Sequence, residues 1–210
     1  ARLETLRGAE PLPLDLRRAD LADALRRAAP DVDVLIHDAA AYAPYALVER
    51  ADEEAGEAVL DVVVRAALRL SRHVLPGMKQ RGFGRIVFVG SAAATLGASG
   101  QAAYAAAKAA LSGLARSIAC ESARHGVTCN VVEPGLVATE RIDEAVPAAT
   151  RRRILEKVAA GREATPEEIA AVVAFLASPR ASYVNGATIP VTGGLGLGVL
   201  PFPSEERADP

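Results

Sequence analysis

The sequence is poor in several residue types, and each shortage narrows what the protein can be. Its 210 residues include no tryptophan, one methionine and two cysteines, and aromatic residues make up 4%. Two cysteines do not make the disulfide framework of a small secreted domain. No metal-ligand spacing surrounds Cys120 or Cys129. We therefore predict buried free thiols in the cytoplasm and no metal site.

An excess of one charge and long apolar runs are lacking too. The formal net charge is -2 at pH 7, which gives no basic surface for nucleic acid. No apolar run reaches the roughly 18 residues of a membrane helix, and residues 1–10 lack the apolar core of a signal peptide. We expect neither a nucleic-acid partner nor a membrane partner.

Short apolar runs alternate with helical patterns along the chain. Strands are predicted in "VDVLIHDAA", "GRIVFVGS", "VTCNVVEPG" and "ATIPVTGG", with helices between them. Apolar strands separated by helices indicate an α/β fold with a parallel sheet covered on both faces. The length suits a single domain over residues 1–200, followed by a polar, loose tail over 201–210.

Several helix ends are marked in the sequence. Asp20 is a candidate cap for the helix in "LADALRRAAP". Thr165 and Glu168 have the spacing of a capping box. The long helical pattern that begins at "EEAGEAVL" is expected to stop near Pro76 or at Gly82.

Tyr104 and Lys108 lie four residues apart in an alanine-rich helix and therefore share one helix face. A free tyrosine has a pKa near ~10, and a neighbouring ammonium lowers the pKa of a phenol. Ser91 ends the preceding strand and can reach the same place. The three side chains could form a proton-transfer site for a hydroxyl or carbonyl group. The alternative is a surface Tyr–Lys pair on a helix.

The spacing of these three residues resembles a known family. In "SAAATLGASGQAAYAAAK" a tyrosine follows the serine by thirteen residues and a lysine follows the tyrosine by four. This pattern resembles the short-chain dehydrogenase/reductase family, most closely its β-ketoacyl-carrier-protein reductase branch. "LPLDL" resembles the family's adenine-side strand, "NVVEPGLVAT" its Pro-Gly loop and "TPEEIAAVVAFLASPRASYVNGATIPVTGG" its last helix and strand. The resemblance runs from about residue 12 to residue 197 and implies a Rossmann-like, doubly wound sheet.

The resemblance implies a role for each site residue. Tyr104 would donate a proton to a substrate carbonyl as hydride arrives from NADP or NAD, and Lys108 would hold the nicotinamide ribose and lower the tyrosine pKa. Ser91 and Gln101 would contact the substrate, a small-molecule ketone or secondary alcohol. Contacts with the cofactor are further implied for Asp15, Leu16, Asp38, Ala39, Ala40, Pro134, Gly135, Val137 and Thr139.

Three departures from the family pattern stand against a simple transfer of function. The family's opening strand, glycine-rich turn and helix have no counterpart, so the first βαβ portion is expected to be missing from this chain, and "VTGGLGLG" does not have the fingerprint spacing. His37, Asp38, Ala39 and Ala40 replace Asn-Asn-Ala-Gly, with His37 read as structural in preference to catalytic. Val63 stands where the family has an asparagine that serves a water-bridged proton relay.

The leading interpretation is an NAD(P)-dependent oxidoreductase that interconverts a ketone and a secondary alcohol. The alternative is a non-catalytic binding or scaffolding subunit of the same fold. A nicotinamide-free lyase or dehalogenase is disfavoured, because relatives of that kind carry arginine at the position of Lys108. The helix around "VLDVVVRAALRL" is more apolar than a solvent-facing helix should be and could simply be core. In the family that the chain resembles, this helix packs against a second subunit, so the resemblance implies a homodimer or homotetramer. The run Arg151 to Arg153 could meet an acidic carrier or be a solvated helix face.

Overall fold

A computed structural model describes residues 10–18, 20–140, 142 and 146–198. Four strands form one parallel sheet in sequential order: β1 (Val34–His37), β2 (Gly84–Val89), β3 (Val127–Pro134) and β4 (Thr188–Val191). The helices are α1 (Leu21–Ala28), α2 (Glu53–Leu60), α3 (Ala66–Arg81), α4 (Ala93–Leu96), α5 (Ala102–Ser122), α6 (Ala148–Leu155) and α7 (Pro166–Ala177). A π-helical turn (Asp61–Arg65) joins α2 to α3, and short 3-10 turns occur at Val48–Arg50, Ala123–His125 and Pro179–Ala181.

The sheet is covered on both faces, as the apolar strands predicted. Side chains of β2 alternate between two apolar clusters: Ile86 and Phe88 pack towards α3 and α5, whereas Val87 packs towards α7. This arrangement confirms the α/β fold with helices on each side of a parallel sheet. On β1, the first strand of the described sheet, Val34 and Ile36 are 40% and 48% exposed, so that strand is covered less completely than β2 and β3.

The helix ends follow the sequence signals in part. Thr165 and Glu168 form the predicted capping box. The long helix runs through Pro76 and ends at Arg81, where Gly82 adopts φ 69°. Asp20 makes no capping hydrogen bond to α1, because its carboxylate accepts two hydrogen bonds from the Arg18 guanidinium instead, at 2.8 and 2.7 Å. Asp20 therefore occupies the N-cap position, as predicted, but its side chain does not cap the helix.

Two further sequence-based expectations do not match the structure. Residues 12–16, likened to an adenine-side strand, form no strand; Asp15 instead forms an ion pair with Arg17 at 2.8 Å, next to a turn. Cys129 is buried as predicted, but Cys120 is exposed on the outer side of α5. The predicted tail, 201–210, lies outside the described residues. No helix in the described part of the chain is long and apolar enough to cross a membrane.

Candidate active site

The candidate site lies where the strands of the sheet reach their carboxyl ends. Ser91 lies two residues beyond the end of β2, and residues 135–139 follow β3. Helix α5 packs on β3 and carries Tyr104 and Lys108 one turn apart. Because parallel strands end at the same edge, this placement gathers groups that are far apart in the sequence.

The Tyr104 hydroxyl lies within reach of the Ser91 hydroxyl, which acts to lower the pKa of Tyr104. A second contact comes from Tyr42, whose ring stacks on the Tyr104 ring at 5.1 Å between centroids and 18° between planes, and whose hydroxyl shares a hydrogen bond with it. Burial raises the pKa of Tyr104, the neighbouring Tyr42 phenol adds to this, and the Ser91 hydroxyl offsets it only partly. Tyr104 is therefore a neutral phenol at physiological pH.

Lys108 is buried beneath this tyrosine, with 3% of its surface exposed. Its ammonium donates a hydrogen bond to the Val89 carbonyl at 2.7 Å and lies 5.7 Å from the Tyr104 ring centroid. Burial lowers the pKa of Lys108 from 10.5 to about 8, against an opposing effect of the Asp38 carboxylate. From the sequence we expected Lys108 to lower the pKa of Tyr104. In the structure that pKa is raised, because the phenol is buried.

His37 and Asp38 end β1 beside the same group of residues. His37 is 3% exposed; its Nε2 lies 3.0 Å from the Val63 carbonyl oxygen, in the π-helical turn, and its ring meets Phe88 edge-on. Burial lowers the pKa of His37, so the ring is neutral at pH 7. These contacts give His37 a structural role, joining the end of β1 to the widened helical turn. The Val63 side chain is fully buried in the core.

The loop after β3 is held by backbone contacts on both sides. Gly135 donates a hydrogen bond to the Val191 carbonyl at 3.0 Å, and a side chain at this position would meet the Thr192 backbone at 2.9 Å. Val137 pairs with Ala164. Thr139 is exposed, and its hydroxyl accepts a hydrogen bond from a backbone N–H at 3.3 Å. The loop thus presents a fixed backbone and an exposed threonine at the sheet edge.

Comparison with known proteins gives this geometry a family. The family model described as Enoyl-(Acyl carrier protein) reductase matches residues 8–196. The 3-oxoacyl-(acyl-carrier-protein) reductase MabA of Mycobacterium tuberculosis is 41% identical over 167 residues, which cover 80% of this chain and 67% of MabA. The 3-oxoacyl-(acyl-carrier-protein) reductase FabG of Vibrio cholerae is 39% identical over 188 residues, which cover 88% of this chain and 76% of FabG.

The chain belongs to the short-chain dehydrogenase/reductase family. A solved structure described as a short chain dehydrogenase/reductase family protein superposes with a TM-score of 0.82 at 38% identity, covering 91% of this chain and 78% of that one. The likeness confirms the Rossmann-like fold that the sequence implied.

Family membership makes the chain an oxidoreductase of the NAD or NADP type, and the residues present fit the nicotinamide end of that cofactor. The Lys108 ammonium has three protons. Among the described residues, one of them is donated to the Val89 carbonyl. Its other N–H groups suit the hydroxyls of a ribose. The phosphate end differs: in the described part of the chain no glycine-rich turn leads from a strand into a helix. Residues 193–198 contain four glycines with positive φ, but no described helix follows them.

The other predicted site residues of this dehydrogenase/reductase lie less close to one another than Ser91, Tyr104 and Lys108 do. Ala39 and Ala40 follow Asp38 and are half-buried. The described contacts of Asp15 are with Arg17, so a cofactor contact by Asp15 or by its neighbour Leu16 stays a prediction. Gln101 starts α5 and lines a cavity of about 20 Å³ with Tyr104, which has room for about one water molecule.

Sequence reasoning missed Tyr42 at this edge of the sheet, and it placed Glu133 here without giving it a role. Tyr42 could have been singled out because tyrosines are scarce and this one follows β1 by a few residues. Glu133 is 4% exposed and is the only charged residue in "VTCNVVEPG", which is a signal that the sequence does contain.

Proposed function

We propose that this protein reduces the ketone of a 3-oxoacyl thioester to the alcohol, using NADPH or NADH, with Tyr104 as the proton donor. The observation that carries the proposal is the position of the Lys108 ammonium: it is buried, bonded to the Val89 carbonyl and 5.7 Å from the ring centroid of Tyr104, whose hydroxyl lies within reach of the Ser91 hydroxyl. The substrate class comes from the printed names of MabA and FabG, which are 3-oxoacyl-(acyl-carrier-protein) reductases.

Each of the three side chains has a distinct task in this mechanism. The hydroxyls of Ser91 and Tyr104 hold the carbonyl oxygen of the substrate. When bound beside these residues, a reduced nicotinamide would supply the hydride for the carbonyl carbon. Tyr104 then gives its proton to the oxygen, which leaves an alcohol and a tyrosinate. Lys108 holds the ribose and places a positive charge 5.7 Å from the Tyr104 ring centroid, where negative charge develops on the phenol.

The protonation state of Tyr104 suits its proposed role as a proton donor. Its raised pKa keeps the phenol protonated at neutral pH, as a proton donor must be. Oxidation of an alcohol would instead require the phenolate. We therefore propose that Tyr104 is in the protonation state that reduction requires at pH 7.

The arginine run near α6 bears on recognition of a carrier. Arg151 is occupied by a bidentate ion pair with Glu163, whereas Arg152 and Arg153 are exposed. Only these last two are available to an acidic carrier protein in the described geometry. A solvated helix face remains the competing interpretation for them.

One contact favours the second candidate, a non-catalytic binding subunit. The Tyr42 ring covers the Tyr104 ring and occupies space beside the phenol. In this alternative Tyr42 is a permanent part of the packing, whereas in the enzyme it moves aside or forms one wall of the substrate site. The two candidates differ in whether the protein binds a nicotinamide cofactor.

The test combines cofactor binding with turnover. NADPH and NADH fluorescence titrations should saturate, and oxidation of either cofactor should follow addition of acetoacetyl-coenzyme A. Tyr104→Phe should lower kcat by roughly 10²–10⁴-fold, the range for a lost general acid. Tyr183→Phe is the matched control, because the Tyr183 side chain is fully exposed. Absence of binding at millimolar cofactor would support the binding subunit instead.

We further propose that the protein is a cytoplasmic homodimer or homotetramer. The long helix leaves Leu68 49% exposed on α3, and a partner subunit would cover such a side chain. Sedimentation at micromolar concentration tests this, and a monomer there would contradict it.

A further inference from the structure

Glu133 is a buried carboxylate for which the mechanism above has no use. It lies next to last in β3, between Val132 and Pro134, and is 4% exposed. A buried carboxylate is costly unless hydrogen-bond donors compensate it. A buried glutamate at this position therefore suggests that its hydrogen bonds have a role that an apolar side chain could not fill.

The contacts of Glu133 reach both ends of one short segment. Its Oε2 accepts a hydrogen bond from the Thr95 hydroxyl at 3.0 Å. Its Cγ lies against Gly90, where an added Cβ would come within 3.1 Å of it. Gly90 precedes Ser91, and Thr95 lies in the last turn of α4. Glu133 thus touches residues on both sides of the catalytic serine.

The segment between these contacts is short and is fixed mainly from β3. Gly90 and Ala92 donate backbone hydrogen bonds to the Val132 and Pro134 carbonyls, at 2.7 and 2.9 Å. The Ser91 hydroxyl in turn accepts one from the Ala93 N–H at 3.2 Å. Helix α4 has four residues, too few to be stable without tertiary contacts. A side-chain bond from its last turn to the sheet therefore helps to hold it in place.

We propose that Glu133 is a positioning residue: through Thr95 it holds α4 against β3 and so keeps the Ser91 hydroxyl directed at Tyr104. The proposal rests on the proposed function for its kinetic effect, but the geometry it describes is independent of turnover.

Kinetics of matched variants test the proposal. Glu133→Ala and Thr95→Val should each lower kcat with acetoacetyl-coenzyme A by roughly 10-fold, since small displacements of a catalytic group cost this much or more. The dissociation constant for NADPH should stay unchanged. Glu133→Gln and Thr95→Ser keep an acceptor and a donor, so both should retain most activity. Glu167→Ala removes an exposed carboxylate and serves as the control.

Coupling to Ser91 separates positioning from a general effect on stability. If Glu133 acts through Ser91, the Glu133→Ala change should cost less than about 2-fold when added to Ser91→Ala, because residues that act as a unit are not additive. A full 10-fold loss in that background would overturn the proposal. Equal kcat for wild type, Thr95→Val and Glu133→Ala would overturn it as well.

Amide hydrogen exchange gives a readout that does not depend on activity. The Leu96 and Gly97 amides donate to the Ala92 and Ala93 carbonyls within α4. Their exchange should become at least several-fold faster in Thr95→Val but not in Thr95→Ser. Thr95 is exposed, so its variants should fold even if Glu133→Ala does not. Unchanged exchange in Thr95→Val would overturn the proposal, whereas a protein in which Ser91→Ala and Tyr104→Phe have no kinetic effect contradicts only the proposed function.

Discussion

Replacing Lys108 with methionine should make the fold more stable at pH 7 while it removes the proposed activity. Methionine is close to lysine in length and suits a buried apolar environment. Lys108 is 3% exposed, so the wild-type protein keeps an ammonium ion out of water below the pKa of that group. The variant avoids this cost.

The size of the gain follows from the pKa and the hydrogen bond. The difference between 10.5 and about 8 corresponds to about 3 kcal/mol at 1.36 kcal/mol for each pKa unit. Loss of the hydrogen bond from Lys108 to the Val89 carbonyl lowers the stability of the variant by about 1 kcal/mol. The net gain is about 2 kcal/mol, or roughly 4–8 °C in Tm for a chain of this size.

The gain should depend on pH in a defined window. Between about pH 8 and 10.5 the unfolded wild-type chain binds the lysine proton and the folded protein does not. Wild-type stability therefore rises with pH in this window, relative to the variant. The advantage of the variant should be complete below pH 8 and decline as the pH rises towards 10.5. Above 10.5 only the lost hydrogen bond to Val89 remains, so the variant should there be less stable than the wild type by about 1 kcal/mol.

Urea denaturation of both proteins at a series of pH values from 7 to about 10 measures the difference directly. Lys79→Met is the matched control, since Lys79 lies near the end of α3, away from the site. A variant that is less stable than the wild type at pH 7, with a difference that does not vary with pH, would refute the reasoning. It would mean that the Lys108 ammonium stabilises the fold through its contacts and is not penalised by burial.

Two stability predictions concern backbone features. Gly126→Ala should destabilise the fold by about 3 kcal/mol, because φ is 72° and the new Cβ would lie 2.2 Å from the Gly82 carbonyl oxygen. Gly113→Ala, in open space on α5, should instead stabilise the fold by about 0.5–1 kcal/mol. Equal effects of the two substitutions in urea denaturation would contradict this account. Thr165→Ala should cost about 1 kcal/mol through loss of the cap on α7, which the same assay detects and which a change below 0.3 kcal/mol would disprove.

Local patterns predicted the fold because their causes are local. The apolar strands β1 to β4, the capping box at Thr165 and the glycine at Gly82 were readable in the sequence. One prediction failed because a neighbouring side chain competes for the same group: the Asp20 carboxylate accepts its hydrogen bonds from Arg18 and not from the start of α1. Residues 12–16 form no strand. A strand needs a neighbouring strand to pair with, and a local sequence pattern does not show whether one is in place.

The site was predicted as a set of residues and not as an environment. Spacing placed Ser91, Tyr104 and Lys108 together, since a strand end and one helix face determine those positions. The direction of the Tyr104 pKa was missed, because it depends on burial and on Tyr42, which arrives from another loop. The Glu133–Thr95 bond was invisible for the same reason: it joins residues 38 positions apart.

The sequence alone determined the α/β alternation, the helix ends marked by glycine and by the capping box, and the presence of a serine, a tyrosine and a lysine at one sheet edge, because periodicity and spacing act within a few residues. The tertiary structure decided which of these groups are charged and what holds them. Protonation depends on how much water each group loses and on which distant side chains surround it, and only the packed chain brings those together.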